Sequence, residues 1–290
     1  MQLSTSPLQA YVESWTPGVV TCEDQILPGP VAALSALLDE PEPVADADTP
    51  LPPLWHWLYF LDWPAQSNLG ADGHPADGHF LPPLPDRQRM FAGGRCIIAE
   101  PLRLGETAER ISSLHNVTVK HGRTGELLFV TQRNEFRQQG RTCLVEEQDI
   151  VYRSGRGPAR YASVVLDRSA PRETDEAWQL ALQPDATLLF RFSALTANAH
   201  RIHYDLPYAQ KEEGYPALVV HGPILALLMM ELVRRNVPSG HVQSLSYRLR
   251  SPAFASEHLL ACGTRADGRA KLRVATHREA QHATSEVTFK

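Results

Sequence analysis

Apolar positions along the chain fall into two series, and each opens on a helical stretch before passing into alternating segments. In the first series, Val31, Leu34, Leu37 and Leu38 recur at the spacing of one helix face, predicting a helix over Pro30–Asp39 with a proline in its first turn. A Pro-rich loop and a second apolar segment, Leu54–Leu61, follow. Period-two alternation then predicts strands over Arg95–Pro101, Arg110–Lys120, Leu127–Phe136 and Thr142–Tyr152. Turn signals at Gly105-Glu106, at 121–125 and at Gln139-Gly140 separate them, as antiparallel hairpins require.

The second series repeats this order. Strand or helix material runs over Ala186–Thr196, and a polar loop leads to a helix over Pro223–Arg235. Strands are expected at Val242–Arg250, His258–Arg265, Lys271–His277 and Thr284–Phe289, with Ala266-Asp267-Gly268-Arg269 as a turn. The helix over Pro223–Arg235 is apolar nearly all round, so it must be enclosed rather than lie on a surface. Arg234 and Arg235 fall at its negative C-terminal end. Ser35-Ala36-Leu37 recurs as Ser193-Ala194-Leu195, 158 residues later. With the shared order of elements, this implies an α+β fold in which an antiparallel sheet wraps a central helix, built twice. The expected division is residues 1–155, a turn-rich linker over 156–178, and residues 179–290.

Composition narrows the function classes. Apolar residues make up 43% and charged residues 21%, the balance of an ordinary globular protein. No apolar run approaches the ~20 residues that cross a bilayer. The start, Met1–Pro7, has neither a basic end nor an apolar core, so a cytoplasmic protein is the expectation. A net charge of −5 with scattered cations excludes a nucleic-acid face. The cysteines Cys22, Cys96, Cys143 and Cys262 stand alone, which argues for small buried hydrophobes rather than disulfides or a zinc knuckle.

Candidate chemistry concentrates in the second series. Thr196–Asp205 is a polar loop holding Asn198, His200, His203 and Asp205, and His221-Gly222-Pro223 opens the buried helix. The first N–H groups of a helix lack partners within it, Pro223 has no N–H to offer, and Gly222 permits close approach of a ligand. A carbonyl oxygen arriving there meets a backbone donor and the positive end of the helix dipole. Taken alone, such a start is also an ordinary helix beginning. His203 has the titration range of a general acid or base, and Asn198 can hold a water by hydrogen bonds. A rival reading makes His200, His203 and Asp205 metal ligands with His221 as a fourth, although the segment lacks a helical pattern that would align them.

The run Phe192–Asp205, the run Glu213–Pro223, and, in the first half, Phe80-Leu81-Pro82-Pro83, Met90–Arg95 and Val145–Arg153 together resemble the hydratase-2 (MaoC-like) family. Within it they are most similar to the branch of type 2 hydroxyacyl-thioester dehydratases and mesaconyl-CoA or itaconyl-CoA hydratases. The resemblance spans roughly residues 10 to 290 and implies a double hot-dog fold, a hydro-lyase and an acyl-CoA substrate, with no cofactor and no metal. It also implies an acidic residue five positions before a catalytic histidine, and a His-Gly pair starting the central helix. By position His203 matches the catalytic histidine and Gly222 the donor to the thioester carbonyl; Asn198 stands where the wider family has Asp. His221, His200 and Tyr204 are then expected around the site, with Arg201, Arg248 and Arg250 as candidates for CoA phosphates. Asp39-Glu40-Pro41-Glu42 lacks the Asn…His spacing, so one site per chain is expected. The first half would wall the acyl group, through Trp55, Trp57, Tyr59, Phe60 or Trp63. The substrate expected is a short branched dicarboxylic acyl-CoA of mesaconyl, itaconyl or citramalyl type. Alternatives are a (3R)-hydroxyacyl-ACP dehydratase, a hot-dog thioesterase using Asp205, and an inactive acyl-thioester-binding module. A homodimer or higher homo-oligomer is compatible with any of these.

Overall fold

The computed structural model describes residues 7–41, 49–122, 125–155, 161–168, 172–238 and 240–290. Residues 123–124 of the expected 121–125 turn, and 156–160 and 169–171 of the expected linker, lie outside them. A short helix α1 (Pro7–Val12) leads to β1 (Val20–Gln25) and α2 (Pro28–Leu37), and a 3-10 turn over Trp55–Leu58 precedes β2 (Arg87–Ile98), β3 (Thr107–Gly122), β4 (Gly125–Gln138) and β5 (Arg141–Ser154). The second half holds β6 (Trp178–Leu182), α3 (Ala186–Leu195), a 3-10 turn over Arg201–His203, α4 (Leu206–Lys211), α5 (Gly222–Asn236), then β7 (Val242–Leu249), β8 (Leu259–Ala266), β9 (Arg269–Ala275) and β10 (Ala283–Phe289).

The two expected sheets join edge to edge into one ten-stranded sheet, in the order β1-β3-β4-β5-β2-β7-β10-β9-β8-β6, with every pairing antiparallel. Each half contributes its strands in the hot-dog order first, third, fourth, fifth, second, and the two second strands meet at the centre. Gly93 and Gly94 sit on that seam, where a Cβ on Gly93 would lie 2.3 Å from the Tyr247 carbonyl oxygen and one on Gly94 2.6 Å from the Tyr247 hydroxyl. Only glycine admits β7 so closely.

The halves differ in what they wrap. Ile224 to Val233 of α5 are all buried, and the helix packs on β6 to β10. In the first half the corresponding place in chain order holds only the 3-10 turn with Trp55, and α2 packs against α3. One apolar core runs through both halves, from Ile26, Leu34 and Trp55 to Phe192, Leu228 and Leu272. β1 and β6 were not legible as strands: β1 has a single strongly apolar residue, Val20, ahead of Thr21-Cys22-Glu23-Asp24-Gln25, and β6 falls at the end of the expected linker. Among the described residues all four cysteines are free, and three of them are buried.

Candidate active site

The end of α3 launches the polar loop. Ala197 adopts a left-handed backbone (φ 51°), the Asn198 N–H donates to the Ser193 carbonyl at 2.9 Å and the Ala197 N–H to that of Ala194 at 3.5 Å. This is the paired Schellman arrangement that ends a helix without a break. The Asn198 side chain then folds back, its Oδ1 accepting from the His200 N–H at 3.0 Å. Arg201–His203 forms the 3-10 turn, and Asp205 caps α4 by accepting from the Tyr208 N–H at 3.1 Å. A return strand segment ties the loop to α5: the Val219 N–H donates to the Ile202 carbonyl at 3.0 Å and the Val220 N–H to that of Ala253 at 2.8 Å. His221 and Gly222 follow directly.

Four imidazoles line up across this junction. His203 and His221 stack with ring centroids 3.6 Å apart and planes 16° from parallel. His200 meets His203 edge-on at 5.5 Å, and His74, from the first half, lies 4.1 Å from His200. His203 Nδ1 is 2.7 Å from the Val219 carbonyl oxygen. A carbonyl only accepts, so Nδ1 carries the proton and Nε2 keeps its lone pair. Burial pushes the His203 imidazole down to about 4; the Val219 carbonyl opposes this and His74 adds to it. Burial, helped by His74 and His203, drives His200 to about 2, and burial with His203 and His200 holds His221 well below the ordinary histidine range. His203 is therefore a neutral base at pH 7. His221 Nε2 is bonded to Ser193 Oγ at 2.9 Å, while its buried Nδ1 has no partner among the described residues.

Gly222 is the first residue of α5, and among the described residues its N–H has no recorded acceptor. Where its Cβ would be, Leu249 and Phe91 stand 2.5 and 3.7 Å away. Phe91 lies 6.1 Å from Trp57 and 5.9 Å from Tyr247 between ring centroids, which continues an aromatic wall away from the helix start. Both halves thus build the apolar side of the junction. Of the other expected wall residues, Trp55, Tyr59 and Phe60 are buried, but Trp63 is 75% exposed and takes no part.

The structure brings together His203, His200, His221, Asn198 and the start of α5, and separates others from them. The Tyr204 hydroxyl donates to the Ala199 carbonyl at 2.9 Å while its ring stays exposed. Arg201 bonds Asp205 Oδ2 at 2.8 and 3.0 Å and the Ala71 carbonyl at 2.9 Å, and lies over the Tyr208 ring. Arg248 is exposed one residue out of phase with buried Tyr247, so period-two alternation turns it to the opposite face of the sheet; Arg250, just beyond β7, is exposed as well. Among the described residues His203, Asp205 and His221 do not join a set of three converging ligand atoms, so the metal reading through them finds no support. Among the described residues the one group of three potential ligands is Asp72, His74 and His200, whose donor atoms lie within 4.8 Å of one another.

Sequence reasoning missed Asp72 and His74, which stand well over 100 positions before the loop they join. It also missed a buried pair in the first half, where His56 Nε2 lies 3.1 Å from Glu146 Oε2 and Trp57 Nε1 donates to Glu146 Oε1 at 2.7 Å.

Comparison with known proteins converges on one group. A sequence model of the hydroxyacyl-thioester dehydratase type 2 family matches residues 54–255. The mesaconyl-C(4)-CoA hydratase of Chloroflexus aurantiacus is 47% identical over 241 residues, covering 83% of this chain and 84% of its own. The mitochondrial hydroxyacyl-thioester dehydratase type 2 of Schizosaccharomyces pombe is 29% identical over 273 residues, 84% of this chain and 89% of its own. A solved MaoC-like dehydratase from Phytophthora capsici shares the fold at a TM-score of 0.68 and 12% identity, covering 97% of this chain and 98% of that one.

Proposed function

The chain belongs to the hydroxyacyl-thioester dehydratase type 2 family, and from that premise we propose how its site performs the hydro-lyase chemistry and on which thioester. The observation that carries the reading is a neutral imidazole, His203, with Nε2 unclaimed, stacked on the residue that precedes the unpaired Gly222 N–H. In this reading the thioester oxygen accepts from the Gly222 N–H at the positive end of α5, which polarises the double bond as enolate character develops. The Asn198 amide and His203 hold the water. His203 Nε2 takes a proton from it as the oxygen bonds to the β-carbon, and the same proton is returned to the α-carbon, so that one water is added and the base is restored. Dehydration is the reverse. Residues 179–290 supply these groups, while residues 1–155 wall the acyl group through Phe91 and Trp57.

The substrate proposed is a short branched dicarboxylyl-CoA of mesaconyl, itaconyl or citramalyl type; the 47% identity to a mesaconyl-C(4)-CoA hydratase supports it. A (3R)-hydroxyacyl-ACP dehydratase is the second reading, favoured by the family match and the fission-yeast relative. Thioester hydrolysis is disfavoured, because the Asp205 carboxylate is bound to Arg201 and caps α4. The described residues contain no helix long and apolar enough to cross a membrane. The reading places the protein in the cytoplasm, with the open sheet edges β1 and β6 available for a homodimer.

The test is a panel of mesaconyl-C4-CoA, itaconyl-CoA and crotonyl-CoA, followed by the mass gain of one water and by free-thiol release. Hydration without thiol release is expected from the wild type, and His203→Ala should lower kcat by about 10² to 10⁴. An unchanged rate in that variant refutes the assignment.

A further inference from the structure

The first half does more than wall the acyl group. A loop around Gly73 reaches across to the polar loop of the second half and is fastened there at three points. The Arg201 N–H donates to the Asp72 carbonyl at 2.9 Å and Arg201 Nη1 to the Ala71 carbonyl at 2.9 Å. Gly73, at φ +89°, lies so close that a Cβ would sit 1.9 Å from the Ala199 carbonyl oxygen, which no other residue tolerates. This docking sets His74 on His200 with ring centroids 4.1 Å apart. Asp72 holds His74 twice, through Oδ2 to ring Nδ1 at 2.9 Å and through Oδ1 to the backbone N–H at 3.0 Å.

We infer that the Asp72–His74 pair is a working part of the active site, holding His200 against His203 from the other half of the fold. The inference rests on the hydratase reading. A histidine base must keep its lone pair turned toward the attacking water, and His200, set between His74 and His203, holds the His203 ring in place while His74 disfavours its protonation. The groups facing the pair are His200 and His203 on the polar loop, Tyr208 on α4 and Arg89 on β2, of which none is an anion at neutral pH; Asp72 is the carboxylate closest to the row of imidazoles. Asp72 and His74 are positioning residues, acting through His200 and His203 rather than on the substrate. Because both Asp72 oxygens accept from His74, the group is a closed carboxylate–imidazole pair rather than an open set of metal ligands.

The variants Asp72→Asn and His74→Gln are made in the full chain, with His203→Ala beside them. Turnover of whichever panel thioester the wild type hydrates is measured from pH 4 to 9, and histidine Cε1–H resonances are titrated by NMR. Both variants should lose about tenfold or more in kcat with KM within about twofold, at an unchanged melting temperature. His74→Gln should also move the acidic limb of kcat/KM, and the His203 resonance, to higher pH, because it removes the neighbouring imidazole that disfavours the His203 imidazolium. Wild-type kcat and an unmoved His203 titration in both variants overturn the inference. So does one equivalent of tightly bound metal in the purified wild type that Asp72→Asn loses. If His203→Ala abolishes hydration while the two variants match wild type, the hydratase reading stands and this inference alone falls. If no thioester is hydrated, the hydratase reading falls and the NMR titration still decides whether the pair acts on His203. Should Asp72→Asn fail to fold, His74→Gln carries the kinetic test.

Discussion

Acidification is the most direct perturbation of the imidazole row, and its effect follows from the burial of His203. The ring is 6% exposed and its pKa falls from 6.5 to about 4. The folded state thus binds its proton more weakly than the unfolded chain does. The stabilisation is complete above pH 6.5, declines as the pH falls below that value, and is gone once the pH has passed the folded pKa near 4. At about 1.4 kcal/mol per pH unit, His203 alone contributes on the order of 3 kcal/mol at neutral pH. His200 and His221 shift in the same direction and steepen the loss. Catalysis should be less sensitive than that of an ordinary histidine. At pH 5 about nine-tenths of His203 is still a free base, against about one-thirtieth for a ring titrating at 6.5. The contrast is read with His203→Asn, whose amide retains a donor toward the Val219 carbonyl but does not titrate. Urea unfolding at half-unit steps from pH 4 to 7.5 should give a stability slope smaller in the variant by about 1.2 kcal/mol per pH unit between pH 4.5 and 6, and the same slope above about pH 7. Initial rates of the wild type, taken within seconds of a jump to each pH, should hold to about pH 5. Equal slopes in the two proteins, or an activity midpoint near 6.5, would refute the burial argument.

Two further substitutions probe either end of α5. Gly222→Ala pushes a methyl into Leu249 Cδ1 at 2.5 Å, the mobile end of a side chain, so the fold should lose no more than about 1 kcal/mol by thermal melting. The crowded approach to the helix start should still lower kcat/KM by about 10² or more, and full activity would show that the thioester does not enter there. Glu40→Ala leaves Arg234 and Arg235 without the buried carboxylate that both contact, Arg235 at 2.6 Å. Stability should drop by about 3 to 5 kcal/mol in urea unfolding while kcat at 25 °C stays within about twofold; a smaller loss would mean that water replaces the carboxylate.

The elements legible in the sequence were those whose periodicity reflects burial on one face. Strands β3 to β5 and β7 to β10 alternate because one side meets the core, and α5 is apolar all round because strands enclose it, whereas β2, expected over Arg95–Pro101, runs over Arg87–Ile98. Edge strands carry no such imprint: β1 is polar because it ends the sheet and buries little. In the site, His203, His221 and Gly222 were readable because two short motifs bring them together, whereas Asp72 and His74 depend on a loop docking from the other half. The glycine that permits it, Gly73, resembles any loop glycine until Ala199 is placed beside it. The three arginines proposed for CoA phosphates show the same limit. Charge is visible in sequence, but the strand face it occupies and the partner it already holds are not.

The 158-residue spacing of the two Ser-Ala-Leu runs bears on why the proposed catalytic groups come from one half of the chain. It maps α2 onto α3, and it maps the turn after one helix onto the turn after the other. Asp39 is left-handed at φ 50° as Ala197 is at 51°, and the Glu40 N–H donates to the Ser35 carbonyl at 2.9 Å as Asn198 donates to that of Ser193. The same helix stop therefore delivers Glu40 in one half and Asn198 in the other. Asn198 arrives among the imidazoles at the N-terminal end of α5, while Glu40 arrives at the C-terminal end, between Arg234 and Arg235. With only one long helix enclosed, its two ends offer different chemistry: a positive N-terminus with free N–H groups that suits an oxyanion, and a negative C-terminus that needs cations and, for those cations, an anion. A carboxylate is useful at the second end and an amide is tolerated at the first. A carboxylate restored by Asn198→Asp would face unprotonated imidazoles rather than arginines, so the two positions are not interchangeable although their backbones match.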